Sequence, residues 1–292
     1  MISISVGSNI YLKDEYIAAC LANTYALIVY YAFAVEGDSL MYPWLHLGNF
    51  TISTYSLLFL CAYIIGGAIT YFEAKRQRRA TEAILRVALG ALVGGLLGAK
   101  LSMLIFLGPA TFIKDLPYLW FSGQAWTGAF FGGYLGVILV KRFNHINYST
   151  GDIFALALPL AQAIGRLGNL LGGDPFGLPS TLPWALMQHG VRRQPSALYE
   201  LVLDLILFAI ILRLRDKMPR PGDLFKLYVV GYCSFRFLVD FTRADPHVFL
   251  GFTLVQVLYA ITILWFSSSL WLSWRESREA RRVSENQARE IV

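Results

Sequence analysis

The chain has 292 residues, 56% of them hydrophobic and 15% charged, with a mean hydropathy of +0.53. Soluble domains are about 45–50% apolar and about 25% charged, so this composition excludes an ordinary soluble enzyme and places the chain in the membrane class. The net charge of +6 does not signal nucleic acid, because the basic residues fall in short runs between apolar stretches, which is a topology signal. Cys20, Cys61 and Cys233 lie in apolar stretches without a pairing motif, and the four histidines are scattered. Neither a disulfide framework, a metal site nor a cofactor is expected.

The first apolar stretch, Tyr16–Val35, is about long enough to span a bilayer. Asp14 and Glu15 cancel Lys13, so the positive n-region of a cleaved signal peptide is missing, although Ala32-Phe33-Ala34 has the small-x-small form of a cleavage site. The segment reads as a retained extra span or a membrane-surface helix, within an N-terminal extension over 1–50.

Seven further apolar stretches follow, over 52–72, 82–107, 124–140, 152–171, 196–212, 223–241 and 250–272, and form a membrane domain over 51–274. Lys75, Arg76, Arg78 and Arg79 follow the first, and Lys141 and Arg142 the third. Arg213, Arg215, Lys217 and Arg220 follow the fifth, and Arg275, Arg278, Arg281 and Arg282 the seventh. The remaining loops are richer in Pro, Gly and aromatics. An odd number of spans with a cytoplasmic C-terminus puts all four basic runs inside. Residues 275–292 read as a charged cytoplasmic tail, a frayed helix.

An ionisable residue within a span costs several kcal/mol unless it is paired or lines a cavity, so each is a candidate for function. Tyr232, Arg236, Asp240 and Arg243 recur at spacings of four and three and share one helical face. Arg166 sits near the end of the fourth stretch, in Gly165-Arg166-Leu-Gly168-Asn169, and Lys100 lies behind Gly94, Gly95 and Gly98. Two arginines at similar depth with few acids nearby suit an anion, and a lipid phosphate is the anion found there. Ordinary intramembrane ion pairs are the competing account, strongest for Asp240 beside Arg236 or Arg243. Gly123, Gly128, Gly132, Gly133 and Gly136 let helices approach closely.

These pieces together resemble the prolipoprotein diacylglyceryl transferase family over about residues 40–272. Its signature matches at Gly165, Arg166, Gly168, Asn169 and Gly177, and a second motif at Pro195, Ser196, Leu198, Tyr199 and Glu200. A third matches at Gly231, Tyr232, Phe235, Arg236, Asp240 and Arg243; Gly132-Gly133-Tyr-Leu-Gly136 and Tyr55 resemble further family positions. The chain departs from the pattern at Phe131, where the family has histidine, at Gly172 and Asp174 in the signature, and at Gln194, Ala197 and Lys100.

The resemblance implies an all-α integral membrane protein of about seven transmembrane helices, or eight if Tyr16–Val35 spans, around a polar cavity open to the outer leaflet. It implies transfer of a diacylglyceryl group from phosphatidylglycerol to the lipobox cysteine of a preprolipoprotein, releasing glycerol phosphate, in the bacterial plasma (inner) membrane. Arg166, Arg236, Tyr232, Asp174 and Asp240 are then the catalytic candidates. Arg166, Asn169, Tyr55, Lys100, Gly132, Gly133, Tyr199, Glu200 and Arg243 are the substrate-binding ones. The lipobox partner holds if the family acceptor is retained. Two alternatives stay open: an enzyme of the same fold using phosphatidylglycerol with another acceptor, and a non-enzymatic lipid-binding membrane protein. No pair of interrupted helices in matching halves suggests a transporter.

Overall fold

A computed structural model of the chain describes residues 41–48, 50–107, 126–173, 177–188, 190–245 and 251–290. Tyr16–Val35, Cys20, Gly123 and Asp174 therefore lie outside the described residues.

Seven α-helices stand among the described residues. They are α1 (Thr54–Arg76), α2 (Thr81–Leu107), α3 (Trp126–Phe143) and α4 (Gly151–Gly172). Then come α5 (Ser196–Leu214), α6 (Asp223–Val239) and α7 (Leu254–Glu290). They fall on the seven apolar stretches because backbone in lipid must satisfy its own hydrogen bonds, which a helix does within one segment. Four are long and apolar enough to cross a membrane: α1, Thr81–Ile105 of α2, α4, and Leu254–Ala280 of α7. The shorter α5 and α6 carry Glu200, Asp204, Arg213, Asp223, Lys226 and Arg236, the charges from which the site below is partly built.

Two short hairpins correct the purely helical expectation. A hairpin pairs β1 (Trp44–Leu47) with β2 (Phe50–Ser53), and a second pairs β3 (Leu186–Gln188) with β4 (Val191–Arg193). The helix α7 also runs past residue 274 without a break. Arg275 Nε donates to Glu279 Oε1 at 2.9 Å, and the Arg278 guanidinium lies 3.4 Å from the Trp274 ring centre, so the charged segment supports its own helix.

The basic helix ends collect at one end of the bundle. Arg76 at the end of α1 pairs with Asp216 beyond α5 at 2.6 Å, and Arg220 pairs with Glu276 on α7. Arg86 early in α2 donates to Asn144 beyond α3 at 2.9 Å, and Lys141 donates to the Tyr148 carbonyl at 2.8 Å. Asp152 at the start of α4 accepts from the backbone N–H groups of Gly222 and Phe225, capping α6. The hairpins sit at the other end: Tyr42 N–H donates to the Leu171 carbonyl, and Leu178 N–H to that of Thr242.

The apolar core lies among α4–α7, where Leu156, Leu207, Phe208, Ile211, Leu224 and Tyr259 are buried together. At its start α7 is anchored by a reciprocal capping box. Gln256 N–H donates to Thr253 Oγ1 at 3.1 Å and Thr253 N–H to Gln256 Oε1 at 2.9 Å, while Gln256 Nε2 reaches the Phe237 carbonyl on α6 at 3.1 Å.

Helices α2 and α3 form a separate hairpin held by two rows of glycine. Gly90, Gly94 and Gly98 face Gly136, Gly132 and Gly128 with no side chain between them. A Cβ on Gly132 would meet the Gly94 carbonyl and lie 2.8 Å from the Gly98 Cα, so only glycine allows the two backbones this close. Gly132→Ala is expected to cost about 1–3 kcal/mol, the usual price of overpacking, measured as a lower melting temperature in detergent. An unchanged melting temperature would mean that the helices part freely. Gly133 faces the Ala91 carbonyl and Gly95 in the same contact, and Lys100 sits two residues beyond Gly98 on this hairpin.

Candidate active site

The last turns of α4 and α6 and the first of α5 meet near the hairpin end. Helix α4 stops at Gly173, whose left-handed φ of 78° lets its N–H reach back to the Asn169 and Leu170 carbonyls. Pro195 opens α5, so Glu200 falls in its second turn, facing α4 and α6. On α6, Tyr232 and Arg236 lie one turn apart, and a 3-10 turn over Asp240–Thr242 carries the chain to Arg243.

Glu200 is the hub. Its carboxylate is 3% exposed and pairs with three arginines: Oε1 accepts from Arg236 Nη1 and from Arg243 Nη1 at 3.5 Å, and Oε2 forms an ion pair with Arg166 Nε. Arg236 Nη2 also pairs with Asp240 at 3.1 Å, and its Nε donates to the Tyr259 hydroxyl at 3.4 Å. Arg243 Nε lies 2.7 Å from Asp245 and 3.8 Å from Asp240. The expected pairing of Asp240 with a nearby arginine is thus seen with both candidates. Arg166 and Arg236 converge as well, though on a shared carboxylate, which the sequence reading did not foresee.

A small cleft opens beside the hub, with Glu200, Asp204, Tyr232 and Arg236 as its polar wall and Leu203 and Phe235 as its apolar one. Asp204 was missed at the sequence level. It is 3% exposed, one turn beyond Glu200 on the same face of α5, and its Oδ2 accepts no hydrogen bond among the described residues. The signal was present, since an acid inside an apolar stretch is a candidate by the same rule that picked out the arginines. Tyr259 and Gln256 were missed too, and nothing but the tertiary contact reveals them.

Of the other described candidates, some lie near this centre and some on the separate α2–α3 hairpin. Asn169 is buried on α4, one turn from Arg166. Tyr55 in the first turn of α1 packs along Gly168 and Gly172, where added Cβ atoms would stand 3.5 and 3.6 Å from it. Tyr199 accepts from the Trp184 indole at 2.7 Å. Gly177 pairs with Arg243 across an isolated bridge, and a Cβ there would strike the Gln194 carbonyl, so this glycine lets the loop fix the arginine's backbone. Lys100, Gly132 and Gly133 belong to the α2–α3 hairpin, with Phe131 63% exposed on the same helix as the two glycines. Cys233 is buried and Cys61 half-buried, both as free thiols.

Similarity to known proteins agrees with this arrangement. A family model described as prolipoprotein diacylglyceryl transferase matches residues 43–272. A phosphatidylglycerol–prolipoprotein diacylglyceryl transferase of Bordetella avium is 34% identical over 220 residues, which is 71% of this chain and 83% of the relative. One of Clostridioides difficile is 30% identical over 217 residues, 73% of this chain and 87% of the relative. One of Rhodospirillum rubrum is 30% identical over 226 residues, 72% and 82% of the two chains. The match extends from β1 to the middle of α7 and takes in every arginine and acid of the cluster, and the chain belongs to the prolipoprotein diacylglyceryl transferase family.

Proposed function

We propose that this protein transfers the diacylglyceryl group of phosphatidylglycerol to the lipobox cysteine thiol of a preprolipoprotein and releases glycerol phosphate. The observation that carries this reading is the convergence of Arg166, Arg236 and Arg243 on the buried Glu200, in a chain whose relatives are named for that reaction. A guanidinium has five N–H groups, so an arginine can hold a carboxylate and a phosphate together. Arg166 and Arg236 grip the lipid phosphate and stabilise the charge that grows on the leaving group. The thiol gives its proton to Asp174, Asp240 or Glu200, sulfur attacks the diacylglyceryl carbon, and the C–O bond breaks with its electron pair leaving on glycerol phosphate.

Asn169 and Tyr232 supply hydrogen bonds, and Asp240 and Arg243 hold Arg236 and Glu200 in place. Tyr55, Lys100, Gly132, Gly133 and Tyr199 complete the donor side, and Asp174 belongs to the acceptor side. About seven spans cross the bacterial plasma membrane, with the cleft open to the outer leaflet and the C-terminus inside. The clustering of Arg76, Arg86, Lys141 and Arg220 contacts at one bundle end supports that orientation. A cysteine placed at residue 280 should react with membrane-permeant reagents alone, and labelling by an impermeant reagent in intact cells would reverse the topology.

Purified protein given labelled phosphatidylglycerol and a lipobox peptide should transfer label to the peptide. Hydrolysis alone would favour a different acceptor, and neither transfer nor hydrolysis would leave a lipid-binding protein.

A further inference from the structure

Among the described residues, and with every acid counted as ionised, the buried charges around the cleft balance before any lipid arrives. Three arginines (Arg166, Arg236 and Arg243) face three buried acids (Glu200, Asp204 and Asp240), while Asp245, the partner of Arg243 on the rim, is 45% exposed. A phosphodiester adds one negative charge to a set that already sums to zero. In a low-dielectric interior an uncompensated charge is expensive, so the anion must bring or find a positive counterpart.

The three acids differ in how they are tied to the arginines. Glu200 forms ion pairs with three guanidinium groups, and Asp240 lies between Arg236 and Arg243. Asp204 makes no such ion pair among the described residues, and its Oδ2 is buried without a hydrogen-bond donor. The charged or titratable groups that face it are Arg166 from α4, Glu200 on its own helix, and Tyr228, Tyr232 and Arg236 from α6. A proton on Asp204 would remove one negative charge from the cleft and convert an undonated oxygen into a donor aimed at its contents.

We infer that Asp204 is a positioning residue for the donor lipid, carrying a proton whenever an anionic phosphodiester occupies the arginine cluster. The inference rests on the proposed donor site and adds to it a linkage between lipid binding and proton uptake. The protonated Asp204 completes the cleft's charge balance and offers its O–H to the headgroup, while the arginines keep their hold on Glu200. No bond to carbon, sulfur or phosphorus is made or broken by Asp204.

The experiment is equilibrium binding of labelled phosphatidylglycerol to the full chain in non-ionic detergent, with phosphatidylcholine as the neutral comparison. Between about pH 5.5 and about pH 8.5 the lipid phosphodiester stays singly charged, so changes in affinity report the protein. Wild-type affinity should fall as pH rises, approaching ~10-fold per pH unit where the free protein holds Asp204 ionised, because each binding event then draws one proton from solution. Asp204→Asn needs no proton and should bind with the same affinity across the range, exceeding the wild type at the alkaline end. Asp204→Glu should restore the pH dependence, which a merely structural role for the side chain would not do. Parallel pH profiles for wild type and Asp204→Asn, or a flat wild-type profile, would overturn the inference while leaving the donor site standing. No preference for phosphatidylglycerol over phosphatidylcholine in any variant would overturn both.

Discussion

Glu200→Gln should destabilise this protein more than any other single substitution at the site, by about 3–5 kcal/mol, the cost of breaking a buried ion pair. The substitution is nearly isosteric, so packing is not the cause. It removes the one carboxylate that Arg166, Arg236 and Arg243 share at 3% exposure, and leaves three guanidinium groups with Asp204, Asp240 and the half-exposed Asp245 as the nearby acids among the described residues. The amide oxygen can still accept one or two hydrogen bonds, but it supplies no charge. Thermal unfolding in detergent, followed by circular dichroism, measures the loss. The control is Asp245→Asn, which removes a half-exposed partner of Arg243 and should cost about 0–1 kcal/mol. Equal melting temperatures for the two variants would show that Glu200 is not the hub of the cluster.

Arg236→Lys carries the second large effect, this time on turnover. Arg236 spends Nη1 on Glu200, Nη2 on Asp240 and Nε on the Tyr259 hydroxyl, so three directions in space are served by one planar group. A lysine ammonium keeps the charge but sits at a single point, and cannot span Glu200, Asp240 and a phosphate together. Because one positive charge remains, the fold should largely hold. Transfer to a lipobox peptide should drop by about 10²–10³-fold in kcat, the loss seen when one donor to a developing charge is removed. Turnover within about twofold of the parent would show that the planar fork has no part in holding the leaving group.

The helices were legible in the sequence because each falls on a long apolar stretch. The expected starts and ends therefore fall within a few residues of α1–α6. The two hairpins were not legible, since strands of three or four residues between polar turns carry too few alternations to stand out. At the site, Arg166 and Arg236 announced themselves as charges where lipid should be. That they meet on Glu200, far from both in sequence, is a property of the tertiary fold, and a motif match can mark Glu200 without revealing how many partners it serves. Asp204 obeyed the same rule as the arginines and was passed over because no motif included it.

The paired glycine rows of α2 and α3 bear on how a mutational scan of this protein should be interpreted. Substitutions at Gly90, Gly94, Gly98, Gly128, Gly132 and Gly136 force backbone from backbone, so loss of activity will recur at every fourth position along both helices. A scan scored by function alone would rank these six glycines beside the arginines, although their effect works through helix spacing. Protein abundance scored in the same library separates the two groups, because the glycine variants should vanish from the membrane while Arg236→Lys should remain there, inactive.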